Sequence, residues 1–365
     1  MEVFERILQG AIEAGASDVH LKIGAPVIFR IAGELVPVDA PPPTAEWMQA
    51  VLGHIVPAHL RERLEAEHEV DFAHTPPGGG RFRVNVFQQR GTYVLALRLV
   101  KSAIRTFAQL HLPEALRRVA EADSGIVLIT GATGSGKSTT LAAMIDHINS
   151  TARKHIITLE DPIEFLFEDK QSVIEQREVG LDTASFGSGL KNVLRQDPDI
   201  LVIGEMRDSA SVVAAMSAAN IGHLVISTLH TVDAAKSVQR ILEFFPADER
   251  EQARRQFATA LRAVICQRLV RTPSAEQRPA LEILTNNAAV THIIHSGALE
   301  KLPAAIELGG GEGMRTFNMA LHELVSAGHI SHEEALANSP AREALRMRFQ
   351  GVTLNETRRI LGARE

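Results

Sequence analysis

At 365 residues, 45% of them apolar, the chain exceeds the usual size of one hydrophobic core, so two domains are the natural expectation. A net charge of −6 and only 4% aromatics argue against the concentrated positive field and stacking platform of a nucleic-acid binder, and no nucleic-acid partner is expected. One cysteine, Cys266, leaves neither an intrachain disulfide nor a cysteine-rich zinc site, and no apolar run reaches the roughly 18 residues of a membrane span.

The N-terminus carries Glu2 and Glu5 and has no signal-like core, which leads to the expectation of a soluble, cytoplasmic protein. Residues 1–100 read as a small α+β domain. Val3, Phe4, Ile7, Leu8, Ala11 and Ile12 share one helix face, and Gly15 supplies a stop. Short strands are expected at 19–23, 27–31 and 35–38, and a Pro41-Pro42-Pro43 loop precedes further helix. After the Pro- and Gly-rich break at 76–80, the alternating segments 81–88 and 93–100 make a hairpin around Arg90-Gly91. A linker over 101–112 leads into a second domain, 113–365.

There the pattern changes to β-branched strands followed by longer helices, as in a parallel sheet covered on both faces, so the fold class is α/β. Strands are expected at 126–130, 155–159, 200–203 and 224–228. From about residue 235 the chain reads as mostly helical. Ala235, Val238, Ile241 and Leu242 form one apolar face, and Phe257, Leu261, Val264 and Ile265 another, with Cys266 packed on that second helix. Gly309-Gly310-Gly311 marks a flexible joint before the last helices.

The chemistry concentrates after the first of these strands. Gly131, Ala132, Thr133, Gly134, Ser135, Gly136, Lys137, Ser138 and Thr139 fit the pattern G-x4-G-K-[ST] at every constrained position. The apolar run Ile126-Val127-Leu128-Ile129 precedes them, and Leu141, Met144, Ile145 and Ile148 follow at helical spacing. Glycines let successive N–H groups converge on phosphate oxygens, Lys137 supplies a cation, and the Ser138 hydroxyl can ligate Mg2+. Cleaving a β–γ phosphate bond further needs a group to orient water and charge to stabilise the transition state. Three clusters offer these: the acidic stretch 159–164 with Glu164, the apolar strand ending in Gly204-Glu205, and the stretch 222–231 with His230. Gly204 stands where many such strands carry Asp, which makes Glu205 the better metal or water ligand.

With these elements in this order, the chain resembles the secretion ATPases of type IV pili and type II secretion, and among them the pilus retraction motors. The likeness runs from Ser17-Asp18-Val19-His20-Leu21 to Gly313-Met314-Arg315-Thr316-Phe317. It implies a RecA-like P-loop ATPase domain preceded by a PAS-like domain, ATP and Mg2+ as ligands, and a homo-oligomer, expected to be a hexamer. Residues 131–139 become Walker A, 157–164 the Asp box, 200–205 Walker B and 222–231 the His box. Glu164 is implied to be the catalytic base, Glu205 to hold magnesium with Ser138, and His230 to sense the γ-phosphate region. Arginines of the N-terminal domain reach the phosphates in this family, and Arg83 and Arg98 on the hairpin strands are the candidates, with Arg81 next. The implied role is pilus retraction, hence twitching motility, at the inner face of the cytoplasmic membrane through a platform protein. One cysteine excludes the four-cysteine zinc insertion of assembly ATPases. Retraction motors share an A-I-R-N-L-I-R-E segment, and here the matching residues 289–296 lack both arginines. An accessory ATPase acting with a paralogous motor, or an assembly or type II secretion ATPase, therefore stays open beside an autonomous motor.

Overall fold

Phe4, Ile7, Leu8 and Ala11 are buried on helix α1 (Glu2–Glu13) of the computed structural model, which describes residues 1–100 and 102–352. They cover one face of an antiparallel sheet, because residues three and four apart on a helix share a side. The sheet comprises β1 (Asp18–Lys22), β2 (Ile28–Ile31), β3 (Glu34–Pro37), β4 (Glu69–His74), β5 (Arg81–Gln89) and β6 (Thr92–Val100) in the order β3-β2-β1-β6-β5-β4. Helices α2 (Ala45–Ile55) and α3 (Ala58–Glu67) complete the core with Met48, Val51, Leu52 and Leu64. The hairpin between β5 and β6 turns at Arg90 and Gly91, with φ of 50° and 76°, the pair of positive values that a tight two-residue hairpin turn requires. This first unit, Met1–Ala103, also takes in the segments Asp161–Phe167 and Arg177–Ala184.

The second unit consists of Ile104–Glu160, Glu168–Gln176 and the chain from Ser185 onward. In chain order it holds α4 (Glu114–Ala120), β7 (Gly125–Thr130), α5 (Lys137–Thr151), β8 (His155–Glu160), the start of β9 (Val173–Glu178), α6 (Phe186–Val193), β10 (Ile200–Ile203), α7 (Ser209–Asn220) and β11 (Leu224–Leu229). After these come α8 (Ala234–Glu243), α9 (Arg250–Ala260), β12 (Leu261–Arg271) and β13 (Gln277–Thr285). Five short helices follow: α10 (Ala288–Ser296), α11 (Leu302–Leu308), α12 (Phe317–Ser326), α13 (His332–Asn338) and α14 (Arg342–Phe349). The strands form one sheet in the order β13-β12-β7-β11-β10-β8-β9, parallel from β12 through β8. The expected α/β class holds, and each of the four anticipated strands is present.

The expected helix through Leu261, Val264 and Ile265 is corrected. Phe257 lies on α9, but the chain extends at Leu261, and Cys266 sits in the middle of β12. β12 lies between β7 and β13 in the sheet, and Ala263, Val264, Ile265 and Cys266 are all buried, so both of its faces are covered. A strand covered on both faces carries an unbroken apolar run, and such a run contains helical spacings by accident. The glycine triplet at 309–311 forms a 3-10 turn, Gly309–Glu312. Residue 101 of the expected linker and 353–365 of the expected C-terminal helices lie outside the described residues. No described helix is long and apolar enough to cross a membrane.

Candidate functional site

The parallel register sets the site. Thr130 pairs with Leu229, and Ile203 with both Ser227 and Leu159, so β7, β11, β10 and β8 end along one edge. Ligands of open α/β sheets bind beyond the carboxyl ends of strands. The strand order then puts the residues after β11, including His230, between those after β7, the glycine-rich loop, and those after β10, including Glu205. Distances agree. His230 Nδ1 is 3.5 Å from Lys137 Nζ, and His230 Nε2 is 3.5 Å from Glu205 Oε1. Arg207 Nε donates to the other oxygen of Glu205 at 2.9 Å.

Within the loop, Gly131, Gly134 and Gly136 have φ of 150°, 80° and 87°, a region that only glycine enters freely. Ala132, Thr133 and Gly134 are exposed at its crest, while Ser138 and Thr139 stand half-buried on the first turn of α5. Lys137 is buried, and its ammonium donates to the carbonyls of Gly131 at 2.8 Å and Ala132 at 3.1 Å. Gly136 caps α5 without any side-chain hydrogen bond. The first N–H groups of a helix lack intrahelical partners and carry partial positive charge, so this end is suited to an anion. Ser135 Oγ is buried with no hydrogen-bond partner, on the side of the loop where a Cβ on Gly131 would meet both it and the Gln267 carbonyl oxygen.

Gln267, on β12, was invisible to the sequence reading. Its Nε2 donates to the Ser135 carbonyl at 2.8 Å and its Oε1 accepts from Thr140 Oγ1 at 2.7 Å. A Cβ on Gly131 would lie 2.5 Å from the Gln267 carbonyl oxygen, and one on Gly136 would lie 2.7 Å from Gln267 Nε2. The loop is therefore packed against this residue, which no local motif announces. Behind it runs a second buried polar layer. Ser237 Oγ lies 2.7 Å from Thr231 Oγ1 and donates to the Asp233 carbonyl at 2.7 Å. Glu282 on β13 accepts from the Ala234 N–H at 2.9 Å and so fixes the start of α8. Burial pushes the Glu282 carboxyl above its usual range, although the Ala234 amide opposes this. Burial, with Glu282 nearby, likewise pushes the Cys266 thiol well up.

Lys137, His230 and Glu205 are thus brought together. In the acidic stretch, Glu160 accepts from Thr158 Oγ1 at 2.7 Å and from Gln176 Nε2 at 3.2 Å. Glu164, Arg83 and Arg98 belong to the first unit, and all three are exposed. Arg83 and Arg98 face each other across β5 and β6. Arg83 Nε is 3.7 Å from Asp71 Oδ1, while Arg98 Nε donates to Asp18 Oδ1 at 2.8 Å. Burial raises the Asp18 carboxyl, but the hydrogen bonds from Arg98 and Ser17 outweigh it and hold the group below its ordinary value.

A model of the type II/IV secretion system protein family matches residues 1–304. The chain is 40% identical to the type IV pilus retraction ATPase PilT of Pseudomonas aeruginosa over 335 residues, 92% of this chain and 97% of that protein. It is 38% identical to the type IV pilus ATPase PilU of the same organism over 345 residues, 94% of this chain and 90% of that one. A crystal structure of the pilus retraction motor PilT with bound ADP matches at a TM-score of 0.85 and 41% identity, covering 93% of this chain and 97% of that one. The chain belongs to the type II/IV secretion system protein family.

Proposed function

We propose that this chain is an ATP-hydrolysing motor that drives type IV pilus retraction, and with it twitching motility. The observation that carries the reading is the line of Lys137, His230 and Glu205 beside a glycine-rich loop at the start of α5. The loop amides and Lys137 grip the phosphates, and closure of the cradle on the γ-phosphate positions it for attack. Ser138 and Glu205 would hold Mg2+, which neutralises charge on the β- and γ-oxygens when bound. Glu164 takes a proton from water as its oxygen bonds to the γ-phosphorus and the bridge to the β-phosphate breaks. His230, within reach of both Lys137 and Glu205, reports the state of the γ-phosphate. Arg83 and Arg98 exchange their carboxylate partners for phosphate and stabilise the transition-state charge, a task worth roughly 10³–10⁵ in rate elsewhere.

In this reading residues 1–100 are a PAS-like domain, 101–112 a linker, and 113–365 a RecA-like ATPase domain with C-terminal helices. The working form is a homohexamer, cytoplasmic and held at the inner face of the membrane by a pilus platform protein. Magnesium-dependent ATP turnover at concentrations where rings form is the direct test. Its absence sinks the autonomous motor, and full turnover in Glu164→Gln removes the base. Pilus length in a deletion strain separates retraction from assembly, since loss of retraction leaves excess pili and loss of assembly leaves none.

One observation favours a second reading. On α10, the half-buried Thr291 and the exposed His295 stand where retraction motors carry arginines, which suits an accessory ATPase working with a paralogous motor. Turnover that rises only on mixing with such a motor decides for it.

A further inference from the structure

Glu178 ends β9 with its side chain only 9% exposed. A carboxylate that deep is retained only where a cation and hydrogen-bond donors meet it. Both do, on one oxygen. Oε2 accepts from the Ile163 backbone N–H at 3.2 Å and from Arg81 Nη2 at 3.1 Å. Arg81 is the first residue of β5, and its side chain is 18% exposed. The backbone of Glu178 is fixed as well, since its N–H donates to Asp182 Oδ2 at 2.8 Å and its carbonyl accepts from the Asp182 N–H at 2.8 Å. All of these groups belong to the first unit.

The amide that Glu178 selects precedes Glu164. Ile163 and Phe165 are buried at 4% and 6% exposure, so the exposed Glu164 sits between two anchored neighbours, one of them held by a charged hydrogen bond. A residue that fixes the backbone on one side of a general base fixes where its Cα sits, and so narrows the positions its carboxylate can reach. Catalytic groups must be held to within roughly 0.5 Å, and a displacement near 1 Å costs on the order of 10²-fold in rate.

We infer that Glu178 is a positioning residue for Glu164, clamping the Ile163 amide to Arg81 so that the proposed base is set by β5 of the first unit. The inference rests on the reading of Glu164 as the base. Arg81, placed third among the candidate phosphate-binding arginines by the sequence, is assigned to this clamp.

The test uses the full chain, steady-state ATP turnover, and hydrogen exchange over 161–167. Glu178→Ala should lower kcat about 30-fold, leave KM for ATP within about threefold, and accelerate exchange at the Ile163 amide. Glu178→Gln keeps an acceptor oxygen for Ile163 and should lose only about threefold; it carries the test alone if the alanine variant does not fold. In a Glu164→Gln background, Glu178→Ala should bring no further loss, because residues acting as one unit are not additive. Wild-type kcat in both Glu178 variants, unchanged exchange at Ile163, or a loss fully additive with Glu164→Gln overturns the clamp. Full turnover in Glu164→Gln sinks the base assignment and this inference together. Loss in Glu164→Gln with none in Glu178→Ala sinks this inference alone.

Discussion

Gln267 donates its side-chain amide to the Ser135 carbonyl at 2.8 Å, a bond that joins β12 to the glycine-rich loop 132 residues earlier. The same side chain accepts from Thr140 Oγ1 and is only 3% exposed, so neither partner has water as an alternative. Gln267→Leu keeps the bulk but leaves a buried carbonyl and a buried hydroxyl unpaired, at about 1–3 kcal/mol each. Chemical denaturation should show a loss of about 3 kcal/mol, and titration with a fluorescent ADP about tenfold weaker binding. Wild-type affinity in that variant means the loop keeps its shape without β12.

The glycines of the loop are not equivalent. A Cβ on Gly131 meets the Gln267 carbonyl oxygen and Ser135 Oγ at 2.5 Å, whereas one on Gly134 meets nothing within 4 Å. Gly134→Ala therefore pays only the left-handed backbone, about 1–2 kcal/mol. Gly131→Ala adds a clash with backbone that cannot move without displacing β12, and should abolish ADP binding while lowering Tm further than Gly134→Ala. Equal effects on Tm would show that the loop yields at Gly131.

His230 bridges Lys137 and Glu205 but contributes no hydrogen bond to the loop backbone. His230→Ala should thus lower kcat about 10–100-fold while ADP affinity stays within about threefold. A matching loss of ADP affinity would instead make His230 part of the ground-state grip. Chelation of Mg2+ should stop turnover in the wild type and leave ADP retention measurable, because Lys137 and the helix end remain.

Local signals carried much of this into the sequence. The nine-residue loop motif and the strands around it are contiguous, and a short apolar run followed by glycine or a carboxylate reads the same in one dimension as in three. β12 is the counterexample. Its side chains are buried on both faces, so Leu261, Val264 and Ile265 imitate a helix, and nothing in the local spacing tells Cys266 which element it is on. Gln267 and Glu178 were illegible for a related reason: each acts on residues it meets only through sheet or turn geometry, Ser135 and Ile163 respectively. Arg83 and Arg98 read as strand charges, but only the fold reveals that each has a carboxylate beside it, Asp18 opposite Arg98 across β1 and β6 and Asp71 within 3.7 Å of Arg83.

Cys266 offers a simple probe of the second core. The thiolate is the reactive form, and burial drives this thiol far toward the neutral state. A thiol-specific reagent at pH 8 should leave Cys266 unmodified in the native protein and label it within minutes in denaturant. Rapid labelling of native protein would mean that β12 opens far more often than a strand between two others should.

Glu282 should make the second unit more stable in acid than its other carboxylates would suggest. Its folded pKa lies above the ordinary 4.5, so the native state holds the proton to higher pH than the unfolded chain does. Its stabilising contribution is complete below about 4.5 and is lost as pH rises through the raised folded value. Asp233 raises the group and Arg268 lowers it, while the Ala234 and Phe317 amides favour the charged form. Glu282→Gln retains an acceptor for Ala234 without a charge to bury. Its Tm should match wild type near pH 4 and exceed it by about 1–3 °C at pH 8, the gap widening between. Asp18 runs the other way: its folded pKa is lowered from 3.8, so its contribution is present above that value and lost as pH falls through the folded one. Asp18→Asn should accordingly cost more at pH 7 than at pH 3. A Glu282→Gln advantage that is constant with pH would show that packing, not ionisation, distinguishes the two side chains.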